Sequence, residues 1–297
     1  MSRHEATTVL VAGATGYLGG HVCRALKQDG YRVKALTRDL ARLEPVRPFV
    51  DEVFVGQATD NATLEGLCDG VDVVFSSVGI HGKMPRKITV WDVDYGANMN
   101  ILQRAQEAGV GHFIFISVLN ADVMRPHIQV AEARERVGDA MRASGMTWTL
   151  LRPTGFFNDL AGFFDMIRRQ GRAWLIGKGE ARSNPIHGAD LANIVVQAIE
   201  DPYWRDGAFG VGGPDIYTMR QIVALAFEAL GKPMKLHSLP PWTARTLASI
   251  IGPFHPTAAD FLRFFTYEML EDGVGDPHGD HHISDFYAEL AQKTEAH

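Results

Sequence analysis

The sequence predicts an α/β fold, a doubly wound parallel sheet followed by a smaller, mainly helical C-terminal lobe, and three observations carry that reading. From residue 7 to about 151, short β-branched or aromatic runs alternate with amphipathic stretches. The first strand and first helix are joined by a glycine-rich turn, Gly13-Ala14-Thr15-Gly16-Tyr17-Leu18-Gly19. Past Arg152-Pro153 the alternation gives way to longer gaps, more Gly, Pro and aromatic residues, and helical periodicity. Apolar strands buried on two sides need covering twice, and right-handed crossovers place helices on both faces.

The strand-like runs are residues 8–12, 32–36, 52–55, 72–76, 112–117 and 147–151. Helices between them end readably: Asp29-Gly30, Ala108-Gly109 and Ser144-Gly145 each put glycine where a helix C-terminus turns left-handed. In the second half, helical patterns cover 189–199, 219–230, 242–251 and 257–270. The expected domains are therefore 1–152 and 153–297. The second would be a substrate lobe with segments returning to the first, roofing the carboxyl ends of the strands where ligands bind in open α/β sheets.

Composition narrows the class. At 297 residues, 46% hydrophobic and 22% charged, the chain is long enough for one large α/β domain or a domain with a lobe. A net charge of -6 without a basic run argues against nucleic-acid binding. Cys23 and Cys68 lack the paired spacing of a zinc or redox site and read as buried small apolar residues. The first strand begins within about ten residues of Met1, leaving no room for a signal peptide, and no apolar run approaches the ~18 residues of a membrane span. These features predict a cytoplasmic protein without a membrane partner.

The glycine turn is built to hold a dinucleotide. Gly13 would make the turn, Gly16 admit the pyrophosphate against backbone N–H groups, and Gly19 let helix pack on strand. A following strand at 31–36 completes the βαβ unit of a Rossmann-type fold. After that strand the chain reads Thr37-Arg38-Asp39. Arg38, about 19 residues past Gly19, suits the 2′-phosphate of NADP(H), with Thr37 able to add a hydroxyl donor; Asp39 leaves NAD(H) open.

With this loop, Arg38, Ser117 and the stretch 144–153 (SGMTWTLLRP), the chain resembles the atypical short-chain dehydrogenase/reductases, specifically the NmrA-like group. Asp94-Tyr95-Gly96-Ala97-Asn98, Gly188-Ala189-Asp190-Leu191-Ala192 and Gly212-Gly213-Pro214 match in order, so the resemblance is nearly whole-length. It implies a nicotinamide near Ser77, Val78, Gly79, Ser117 and Pro153-Thr154-Gly155, with substrate above it. Reductases of this superfamily use a tyrosine as proton donor and a lysine four residues on. Those positions are Val130 and Arg134 here. Valine has no proton to give, whereas Arg134 could still grip a ribose hydroxyl or phosphate.

Replacement groups are His127, Ser117 and Asn98. His127 precedes Val130 by three residues and Arg134 by seven, one helical face if the helix extends that far, and could act as a general acid. Ser117 could polarise a substrate carbonyl, and Asn98 could order a water relay. Phe156, Phe157 and Asn158 would wall a planar ligand, and His187 could reach the cleft. The run 276–282 (DPHGDHH) combines imidazoles and carboxylates, but its spacing matches no ligand pattern. It reads as a solvated loop, with no metal site.

The expected function is NADPH-dependent reduction of a carbonyl, quinone or enone of an apolar or aromatic small molecule. The alternative is a non-catalytic NADP(H)-binding redox sensor or assembly factor acting through a protein partner. Epimerase chemistry would need a tyrosine or carboxylate base that is not found. Neither substrate identity nor oligomeric state is written in the sequence.

Overall fold

Each apolar run of the first half becomes a strand in the computed structural model, which describes residues 7–80 and 88–295. These strands are β1 (Thr8–Ala12), β2 (Arg32–Thr37), β3 (Glu52–Val55), β4 (Val73–Ser76), β5 (His112–Ile116) and β6 (Thr147–Pro153). Later come β7 (Ala173–Ile176), β8 (Arg182–Ser183), β9 (Gly207–Gly212), β10 (Tyr217–Thr218), β11 (Leu236–Leu239) and β12 (Asp276–Pro277). The central sheet has the order β12-β9-β6-β5-β4-β1-β2-β3, a doubly wound, Rossmann-like arrangement.

Register decides what this sheet presents. Ala12 pairs in parallel with Leu36 on one side and Ser76 on the other; Ser76 pairs with Phe115, and Ile116 with Leu151. The carboxyl ends of β1, β2, β4 and β5 therefore lie level. Gly13, Arg38, Ser77 and Ser117 all leave the sheet along that one edge.

The helices are α1 (Tyr17–Gln28), α2 (Asn98–Glu107), α3 (Ala121–Met124), α4 (Gln129–Arg142), α5 (Phe157–Gln170) and α6 (Gly188–Glu200). They continue with α7 (Met219–Ala229), α8 (Pro241–Ile251), α9 (Pro256–Leu270) and α10 (Ile283–Glu295). Gly30, Gly109 and Gly145 adopt φ of +88°, +70° and +77°, the left-handed turns expected of them. Residues 91–97 form a π-helical turn running into α2. Among the described residues no helix is long and apolar enough to cross a membrane.

The chain forms two compact units, residues 1–152 with 191–209, and 153–190 with 210–297. In the first, Leu10, Val74, Phe113, Phe115 and Leu150 from the sheet pack against Ile101 and Leu102 of α2 and Val137 and Met141 of α4. Cys23 and Cys68 are buried free thiols, each pushed up to about 12 by desolvation. In the second unit α5, α7 and α10 close around Phe157, Phe164, Ile167, Phe227 and Tyr287. The Tyr287 hydroxyl donates to Leu160 O at 3.1 Å. This unit also carries two short ladders that helical periodicity does not predict, β7 with β11 and β8 with β10. The two-residue strands β8 and β10 are too short to leave a period in the sequence.

Candidate active site

The glycine turn has a separate steric reason at each position. Gly13 sits at φ +93°, and a Cβ there would lie 2.8 Å from Ser77 Oγ. A Cβ on Gly19 would stand 2.1 Å from Gly13 O, so only glycine lets α1 start this close to the turn. Gly16 is exposed and donates its N–H to Gly13 O at 2.9 Å. It is the N-cap of α1, with no side-chain cap and no carboxylate in the first turn. The positive end of α1 therefore faces outward without a resident anion of its own. Ala14 and Leu18 are buried and anchor the turn, while Thr15 and Tyr17 are half-buried around it.

At the end of β2, Arg38 and Asp39 part company. The Asp39 carboxylate accepts from Ala41 N at 3.0 Å, capping the 3-10 helix Leu40–Phe49. Its carbonyl accepts from Thr37 Oγ1 at 2.9 Å. Arg38 is exposed, has no ion-pair partner among the described residues, and lines a depression with Asp39, Val55, Gly56, Gln57 and Thr63. One oxygen of the carboxylate that would hold a ribose 2′-hydroxyl is engaged in capping, while the guanidinium that suits a 2′-phosphate has no ion-pair partner among the described residues. The donor set fits NADP(H) over NAD(H).

Beyond β4, the segment Ser77-Val78-Gly79 is braced from below. Asp94, fully buried, accepts from Ile80 N at 3.1 Å through Oδ2. Through Oδ1 it accepts from Arg134 Nε at 3.0 Å and Nη2 at 2.9 Å. A Cβ on Gly79 would stand 2.5 Å from Arg134 Nη2, so glycine admits the ion pair. Arg134 Nη1 also donates to Ser117 O at 3.3 Å. The arginine at the lysine position is thereby neutralised by a carboxylate and ties α4 to the ends of β4 and β5.

Asn98 is fully buried: its Oδ1 accepts from Ser76 Oγ at 2.6 Å, and its Nδ2 donates to Val78 O and Asp94 O. It braces the same segment, which corrects the reading of Asn98 as a water-ordering group. Ser117 is likewise fully buried, and its Oγ donates to Glu135 Oε1 at 3.0 Å. Glu135 in turn accepts from Arg152 Nη2 at 2.5 Å and Nε at 3.3 Å. Ser117 therefore offers its hydroxyl proton to a carboxylate inside the unit, not outward to a carbonyl.

His127 is exposed and lies between α3 and α4. The residue after it, Ile128, is the N-cap of α4 with extended φ of -128°. The helical phase that would align His127 with Val130 and Arg134 stops before it, correcting that expectation. Val130 itself is buried.

The second unit holds the remaining candidates. Pro153 ends β6, and Thr154 donates its N–H to Val211 O at 3.0 Å and its hydroxyl to Asn184 O at 2.6 Å. Gly155 has open space where a Cβ would stand, and Phe156 is the half-buried N-cap of α5. Asn158 is exposed, whereas Phe157 is buried in the core, where its ring meets Phe286. Phe157 is an anchor of α5, not a ligand wall.

His187 is half-buried and stacks on His281, with ring centroids 4.2 Å apart. Desolvation and the facing His281 imidazole hold its pKa below the usual histidine value. His281 Nδ1 meets Asp190 Oδ1 at 2.8 Å, and His282 Nδ1 meets Asp215 Oδ2 at 2.5 Å. The 276–282 run is exposed except at His278, as a solvated loop is expected to be, and is tethered to buried Asp190 and to Asp215. These contacts bridge up to 91 positions of sequence, beyond the reach of any local spacing rule.

Sequence reasoning also missed Glu135 and the Asp94–Arg134 pair. A signal for Glu135 existed: Ala131 and Gly138 flank it at helical spacing, and small residues on a helix face mark close packing.

Comparison with known proteins adds the family. The model of the NmrA-like family matches residues 5–286. Divinyl chlorophyllide a 8-vinyl-reductase of Zea mays is 28% identical, over 89% of this chain and 71% of that protein. The NAD(P)H azoreductase of Xenophilus azovorans is 27% identical, over 76% of this chain and 75% of that protein. An NADPH-dependent quinone oxidoreductase of Escherichia coli, solved with NADPH, shares the fold with a TM-score of 0.72. Its identity is 20%, covering 97% of this chain and all of that one. The chain belongs to the NmrA-like family.

Proposed function

We propose that the protein is an NADPH-dependent oxidoreductase that reduces a carbonyl, quinone or enone of an apolar or aromatic small molecule, without the usual tyrosine–lysine pair. The observation that carries the cofactor half is the division of labour at the end of β2: Asp39 caps a helix while Arg38 stands free. Supporting the reductase half, two relatives matched over three quarters or more of this chain are named as reductases, one of them NAD(P)H-dependent.

When bound, the nicotinamide supplies a hydride. The chain's own residues hold and orient. The Gly13–Gly19 turn and the α1 terminus take the pyrophosphate, Arg38 the 2′-phosphate, and the braced Ser77–Gly79 segment the nicotinamide end. Val130 offers no proton, Arg134 is locked on Asp94 and Ser117 on Glu135, so the proton that completes reduction is delivered by solvent. The same buried Val130 favours a second reading, an NADP(H)-binding sensor or assembly factor without turnover.

The test is incubation of the protein and NADPH with a panel of quinones, aromatic ketones and enones, following cofactor absorbance. Saturable NADPH oxidation with at least one class supports the reductase. Tight NADPH binding without turnover across the panel supports the sensor.

A further inference from the structure

On the α8–α9 hairpin several large side chains are exposed while small ones are buried. Ala244 and Ala248 of α8 and Ala259 of α9 are buried, and a Cβ on Gly252 would lie 3.8 Å from Ala259 Cβ. Close packing of small residues leaves several bulky ones at the surface. Trp242 is 65% exposed, Leu247 48%, Ile250 62%, Phe254 78% and Phe265 46%. Isolated exposed apolar residues are ordinary, but five on one 30-residue hairpin are a patch, and such patches mark interaction sites.

Charge says what covers it. Between Glu228 and Asp260 there is no carboxylate, in a chain with 35 of them and a net charge of -6. Asp260 itself is buried. Lys235 and Arg245 in this stretch, and Arg263 just beyond it, are exposed and have no ion-pair partner among the described residues, while Lys232 is half-buried and donates to Ile167 O and Arg168 O. Arg263 Nη2 lies 3.8 Å from where a Gly252 Cβ would be, placing a guanidinium at the corner of the hairpin.

We propose that this face docks on an anionic lipid surface, with Trp242, Ile250 and Phe254 entering the headgroup boundary and Arg245 and Arg263 meeting lipid phosphates. Helices that lie in a membrane interface combine a tryptophan- or phenylalanine-bearing apolar face with flanking cations. A second copy fits less well, because symmetric pairing would bring the same uncompensated arginines together. Lying on a surface differs from spanning, so the proposal stands beside the lack of any membrane-crossing helix among the described residues. It is independent of whether the cofactor reacts.

The test is flotation of the full chain with phosphatidylglycerol/phosphatidylcholine vesicles and with phosphatidylcholine alone. Binding is expected to the anionic vesicles, weakening with added salt. Ile250→Ser/Phe254→Ser should lower it about tenfold or more, and Arg245→Gln or Arg263→Gln about fivefold each. Val123→Ser, which removes an exposed apolar residue of α3, should leave it unchanged. Brominated lipids should quench tryptophan fluorescence in the wild type and lose that component in Trp242→Phe. No flotation with anionic vesicles overturns the proposal, as does flotation that survives Ile250→Ser/Phe254→Ser. Self-association abolished by that double variant, without vesicle binding, assigns the face to a second copy instead.

Discussion

Arg134 closes on Asp94 with two nitrogens, Nε at 3.0 Å and Nη2 at 2.9 Å, both on Oδ1 of a carboxylate with no exposed surface. The other oxygen of Asp94 takes the Ile80 N–H. At the position where the resemblance expects a lysine, Arg134 is a strut that ties α4 to the segment following β4. Removing one partner of a buried pair strands the other, which costs about 3–5 kcal/mol. Arg134→Met should therefore lower the urea midpoint markedly and weaken NADPH binding. Asp94→Asn added to it should restore part of the stability, because the stranded charge is gone. Equal stability of Arg134→Met and wild type would contradict this role.

Arg38 is expected to discriminate between cofactors. A charge-assisted contact to a 2′-phosphate is worth about 1.5–3 kcal/mol, so Arg38→Ala should weaken NADPH binding roughly tenfold to a hundredfold. NADH affinity should scarcely change. Parallel fluorescence titrations check this, and equal losses for both cofactors would remove Arg38 from the site.

Ser117 gives a negative prediction. With its hydroxyl spent on Glu135, Ser117→Ala should keep kcat within about tenfold of wild type, the lower bound of general acid–base contributions being about a hundredfold. Glu135→Gln should instead cost stability, by leaving Arg152 short of its carboxylate. Steady-state rates beside denaturation curves separate the two.

The fold was legible where period and glycine chemistry act locally. Strands 8–12 and 52–55 matched to the residue, and β2 and β6 ran on by one and two residues, through Thr37 and Pro153. Gly13, Gly16 and Gly19 were readable from their spacing: Gly13 has positive φ, and a Cβ on Gly16 or Gly19 would crowd Gly13 O within the same turn. Glu135 and the Asp190–His281 contact were not. A charged residue in mid-helix reads as solvent-facing unless its tertiary partner is known, and Arg152 and His281 come from other elements. His127 differs: the helical phase begins after a cap that has no sequence signature, since Ile128 is not a capping residue type.

His112 sets an acid limit on stability. It is buried, its Nε2 lies 2.8 Å from Thr149 Oγ1, and that hydroxyl gives its own proton to Trp204 O at 2.6 Å. The imidazole must therefore be the donor, neutral with its proton on Nε2. Desolvation lowers its pKa from 6.5 to about 4. The unfolded chain takes up this proton below 6.5 while the folded one does not, so stability falls as pH drops from 6.5 to about 4. The loss should reach about 3 kcal/mol. In His112→Gln this portion of the pH dependence should vanish from denaturation midpoints.

Glu268 acts with the opposite sign. Desolvation on α9 raises it from 4.5 to about 7. Between those values the unfolded chain is ionised and the folded one protonated, so stability falls as pH rises through that window. Because the Glu268 effect opposes that of His112 between pH 5 and 7, the change in melting temperature from pH 5 to pH 8 should be more positive in Glu268→Gln than in wild type, and a change equal to wild type would contradict the role.

The central claim is hydride transfer from NADPH. It is tested most directly by mass spectrometry of products formed with NADPH carrying deuterium at nicotinamide C4, across quinones, enones and aromatic ketones. At least one product is expected to be reduced and heavier by a single deuterium from one C4 face, or, for a quinone whose hydride ends on oxygen, NADPH should be lost stoichiometrically with hydroquinone formation. Tight NADPH binding with neither outcome for any substrate class would contradict it.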